Sequence, residues 1–178
     1  RYAYEEKFAA FRNKEYEIMV GTQMIGKGLD FPDVTLVGVL SLDQALFAGD
    51  FRSYERTFSL ITQVVGRSGR GDTAGRAILQ TFLPNHYVLQ LAAQQNYPVF
   101  YEQEYAIRKT MLFPPFCDLC ILGFVGEKEE IVAAAAAEAV RQIQVYVKEQ
   151  AFSYPLWVLG AVPCHYERLK GKYRYRVI

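Results

Sequence analysis

The segment Gln63-Val64-Val65-Gly66-Arg67-Ser68-Gly69-Arg70 sets two arginines three positions apart among small residues. A guanidinium stays charged at any workable pH and offers a planar fork of donors that matches phosphate oxygens. Arg67 and Arg70, at an expected helix end, are therefore suited to gripping a phosphate. Glycines at 66, 69 and 71 would let the backbone approach whatever the arginines hold. The competing assignment is a solvated helix end, where cations offset the helix dipole.

Upstream lies Gly21-Thr22-Gln23-Met24-Ile25-Gly26-Lys27-Gly28-Leu29-Asp30-Phe31-Pro32. Gly21, four residues and Gly26-Lys27 nearly reproduce a phosphate-cradling P-loop. Gly28, however, stands where a Mg²⁺-binding Ser or Thr is required. The stretch Asp30-Phe31-Pro32-Asp33 also makes a turn instead of opening a helix. The segment follows an expected strand at residues 16–20, and strand carboxyl ends are where open α/β sheets bind ligands. Taken alone, it reads as a glycine-rich connector.

Other constellations are less specific. Arg168, Lys170, Lys172, Arg174 and Arg176 interleave with Tyr166, Tyr173 and Tyr175. Such alternation on a strand can hold phosphates and stack bases, or it can protect an edge strand by charge. Cys117 and Cys120 have a metal-like spacing, but on the apolar strand expected there they would point to opposite faces. Zinc needs four ligands in one place, so no metal site is expected. Asp43, Asp50 and Glu55 fit loop and cap roles better than a carboxylate site.

Hydrophobic periodicity supplies the elements that must position these groups. Helices are expected at residues 1–11, 51–65, 85–95, 97–112 and 127–150. On residues 51–65 the apolar stripe is Tyr54, Phe58, Ile61 and Val65. Strands are expected at residues 16–20, 34–42, 77–82, 117–125, 154–159 and 172–178. The run at 34–42 reads as a parallel strand buried on both faces. Strands alternating with helices imply βαβ units, so the fold class is α/β: part of a parallel sheet with flanking helices, then a small α+β domain. The expected domains are residues 1–113 and 114–178.

The 178 residues are 51% apolar, enough for a sizeable core, and the net charge of +1 selects no partner by itself. No apolar run is long enough to span a membrane. Three cysteines make no disulfide framework and point to a reducing, cytoplasmic setting. The chain starts at Arg1 with a helical pattern already running, and residues 173–178 read as a strand cut short. A fragment of a longer protein is expected.

The two glycine- and arginine-bearing segments, in this order, resemble motifs V and VI of superfamily 2 helicases, which lie in the second RecA-like lobe. Asp50-Phe51-Arg52, Glu55-Arg56, Gln80-Thr81-Phe82, Phe100-Tyr101-Glu102, Glu104, Pro114-Pro115-Phe116 and Gly171-Lys172-Tyr173-Arg174-Tyr175 extend the resemblance over nearly the whole chain. All are similar to the bacterial primosomal replication-restart helicase family. That family usually has Ala where Gly26 stands and a polar residue at Leu29.

The resemblance implies an ATP-dependent 3′-to-5′ DNA helicase that restarts stalled forks and assembles the primosome. ATP and Mg²⁺ would lie between two lobes. Arg67 and Arg70 would be arginine fingers. Gln63, Gly66, Gly28 and Asp30 would serve the nucleotide. Gly21, Thr22 and Lys27 would lie near the DNA backbone, although Lys27 could equally face solvent. Arg168, Lys172 and Arg174 would contact branched or forked DNA. Zinc would belong only to a cysteine-rich insertion upstream of Arg1. Other primosome proteins and single-stranded-DNA-binding protein would be partners. Without a first lobe, this chain alone is expected to be inactive. The alternative is a non-enzymatic nucleic-acid or protein-docking module that keeps the motifs as scaffold.

Overall fold

The computed structural model describes residues 2–22, 31, 33–66, 75–150 and 152–178. The chain divides into two compact units, residues 1–107 and 108–178.

In the first unit the element order is α1 (Tyr2–Arg12), β1 (Leu36–Val39), α2 (Leu42–Leu46), α3 (Ser53–Val65), β2 (Arg76–Leu79), α4 (Tyr87–Ala93) and α5 (Tyr97–Met111), whose last turn passes into the second. Strands β1 and β2 pair in parallel, Leu36 opposite Arg76 and Val39 opposite Leu79, with α2 and α3 in the crossover. A parallel pair needs such a crossover, so the expected βαβ unit is present. The core is Leu42 and Leu46 of α2, Phe58 and Ile61 of α3, Val88, Leu89 and Ala92 of α4, and Phe100 of α5. The buried stripe of α3 is rotated slightly from the expected one. Thr57 and Val64 are buried, whereas Tyr54 and Val65 are half-buried.

Two strand expectations fail in this unit. Residues 16–20 form no strand, and Ile18 and Val20 are almost fully exposed. The run at 34–42 forms a strand only over Leu36–Val39, and just one of its faces is partly shielded. With two strands in the sheet among the described residues, nothing covers the second face. An apolar run specifies burial only where other elements exist to supply it.

The second unit contains β3 (Leu122–Gly126), α6 (Glu129–Gln150), β4 (Ala161–Leu169) and β5 (Lys172–Val177). The sheet order is β3-β5-β4, antiparallel throughout. Lys170 and Gly171, at φ 51° and 80°, form the two-residue turn that joins β4 to β5. Positive φ at both positions is what a type I′ hairpin demands. The strand expected at residues 154–159 is absent, and β4 lies at 161–169 instead. Pro163 hides that strand from a propensity reading. It is tolerated because β4 is an edge strand. The strand expected at 117–125 starts only at Leu122, so Cys117 and Cys120 precede it.

Candidate functional site

Asp50 lies just ahead of α3, whose first residue is Ser53. The Asp50 carboxylate accepts from Arg52 N at 3.0 Å and pairs with Arg56 at 2.9 Å, and its carbonyl accepts from Ser53 N at 2.9 Å. A negative group there also favours the positive end of the helix dipole. Further along, the Phe58 ring stacks on Phe100 of α5 with centroids 4.1 Å apart. Tyr54 meets His86 and Tyr87 edge-on at 5.2 and 5.9 Å. The far end of α3 is thereby fixed: Ile61 and Val64 face inward, Gln63 faces outward, and Gly66 closes the helix with its N–H on the Thr62 carbonyl.

Gly66 hands the chain to residues 67–74, and Arg67 and Arg70 lie outside the described residues. The chain returns at the amino end of β2, where Arg76 N donates to the Thr35 carbonyl at 2.8 Å. The other motif is bracketed in the same way. Gly21 and Thr22 are exposed and belong to no strand, whereas Lys27, Gly28 and Asp30 lie outside the described residues. Beyond them, Phe31 packs edge-on against Phe11 of α1 at 5.1 Å, and Lys14 pairs with Asp33 at 3.0 Å. Because residues 16–20 form no strand, the segment does not start at a strand's carboxyl end as expected.

The carboxylates fill structural roles. Asp43 of α2 accepts from Thr81 Oγ1 at 2.9 Å and from Phe82 N at 3.2 Å, which fixes the loop after β2. Tyr87 donates to the buried Glu104, and burial together with that carboxyl pushes the phenol's titration well above its usual range. His86 accepts the Val88 N–H at the start of α4, and burial holds its imidazole below the usual range. Among the described residues no three His, Cys, Asp or Glu gather to hold a metal. Cys117, Cys120 and Cys164 are free thiols.

In the second unit, alternation along β5 sorts the basic and aromatic residues onto opposite faces. Tyr173, Tyr175 and Val177 face α6: Tyr175 donates to Glu129 Oε1 at 3.2 Å, and Val177 is buried. Lys172, Arg174 and Arg176 take the other face. Arg168 pairs in register with Tyr173 and lies over its ring at 5.1 Å, so it belongs to the tyrosine side. The structure thus groups Lys172 with Arg174 and separates both from Arg168. Strand β5 is also central, so its charges protect no edge. Arg176, omitted from the expected DNA contacts, completes the row. The signal was its spacing of two from Arg174.

Among the described residues no helix is long and apolar enough to cross a membrane. Residues 3–72 match the model of the helicase conserved C-terminal domain, and residues 109–178 match that of the primosomal protein N C-terminal domain. The chain is similar to the replication restart protein PriA of Bacillus subtilis, 42% identical over 176 residues, which is 99% of this chain and 21% of that protein. It is 38% identical to the protein of the same name from Synechocystis over 94% of the chain and 20% of the relative. For that of Haemophilus influenzae the figures are 33%, 91% and 22%. The chain therefore spans about one fifth of the length of these relatives.

Proposed function

Since the chain belongs to the family of primosomal replication-restart proteins, we propose that it forms the C-terminal part of an ATP-dependent 3′-to-5′ DNA helicase that restarts stalled forks and assembles the primosome. The observation that carries this reading is the pair of family matches, a helicase C-terminal domain followed by a primosomal C-terminal domain in one chain. In the intact protein the first unit would contribute to the second motor lobe. Arg67 and Arg70 would act as fingers that neutralise charge on the transferred phosphoryl group of ATP. The exposed Gln63, on the last turn of α3, would lie close behind them. A helix end fixed by the Phe58–Phe100 stack is a suitable base, because a finger works by position. Asp30, Gly28 and Gly66 would serve the same nucleotide.

Gly21, Thr22 and Lys27 would contact the DNA backbone without reading sequence. The exposure of Gly21 and Thr22 is compatible with that role. Cations of the second unit would add further DNA contacts, and primosome proteins would be partners. The hydrolytic site needs groups from a first lobe, so ATP turnover by this chain alone should be negligible. A DNA-stimulated ATPase assay on the 178-residue chain tests this. Turnover near the noise supports the reading, and robust turnover refutes it.

A further inference from the structure

We draw no further inference here: the strongest candidate, the apolar groove of the second unit between Val147 and Lys148 of α6 and the exposed Leu156, Trp157 and Leu159, carries nothing, because nothing in the structure shows what covers it.

Discussion

Tyr87 of α4 donates its phenolic hydroxyl to Glu104 Oε1 of α5 at 2.9 Å, and Glu104 is only 7% exposed. This bond ties α4 to α5 beside the ring cluster that fixes α3. Tyr87→Phe keeps the ring contacts and deletes the donor. Removing a hydrogen bond to a buried carboxyl should cost about 1–3 kcal/mol. Urea unfolding of the first unit should show the loss, and an unchanged midpoint would mean that the bond contributes nothing.

The Phe58–Phe100 stack joins α3 to α5 at the centre of the core. Phe58→Ala should destabilise the first unit by about 3–5 kcal/mol through lost transfer energy and an unfilled cavity. Phe58→Leu should cost less, because it retains most of the volume. Equal losses from the two substitutions would argue against a packing origin.

His86 gives the first unit a pH dependence of definite sign. Its Nδ1 accepts the Val88 N–H, so a protonated ring cannot cap α4. Burial lowers its pKa below the ordinary 6.5, so the folded state prefers the neutral ring. The associated stability is present above pH 6.5 and is lost as pH falls through the lowered folded value. The urea midpoint should therefore drop on acidification from about pH 7 to pH 5. His86→Asn, a capping residue that does not titrate, should flatten that drop. An equal drop in the variant would assign the effect to another group.

Gly126 and Gly123 on β3 should respond oppositely to a methyl group. Gly126→Ala puts a Cβ 2.7 Å from Val132 Cγ2, a contact that real structures avoid. The resulting overpacking should cost about 1–3 kcal/mol, with partial rescue by Val132→Ala. Gly123→Ala faces open space and should leave thermal unfolding nearly unchanged. Equal effects at the two positions would contradict the assignment of covered and open faces.

Much of this architecture was legible in the sequence where the local signal was long and periodic. The stripe on residues 51–65 and the apolar spacing of 97–112 gave α3 and α5 to within two residues. The shorter strands were less readable. Residues 16–20 look like a strand yet have no sheet partner among the described residues, because an apolar run does not say whether a neighbour exists to pair with it. Pro163 concealed β4, whose edge position excuses it. The pairing of Arg168 with Tyr173 was invisible for a different reason. It depends on a register shift between Pro163 and Arg168, and alternation within one strand carries no information about it. The roles of Asp43 and Glu104 came from partners 39 and 17 positions away, beyond any local pattern.

The most direct test of the account is steady-state, DNA-stimulated ATP turnover by the intact protein, proposed to be a helicase, carrying Arg67→Ala or Arg70→Ala, with nucleotide binding measured in parallel. Arginine fingers stabilise the transition state far more than the bound nucleotide, so turnover should fall about a thousandfold or more while ATP affinity changes little. Turnover unchanged in both variants would contradict the assignment of these arginines and, with it, the motor reading of the first unit.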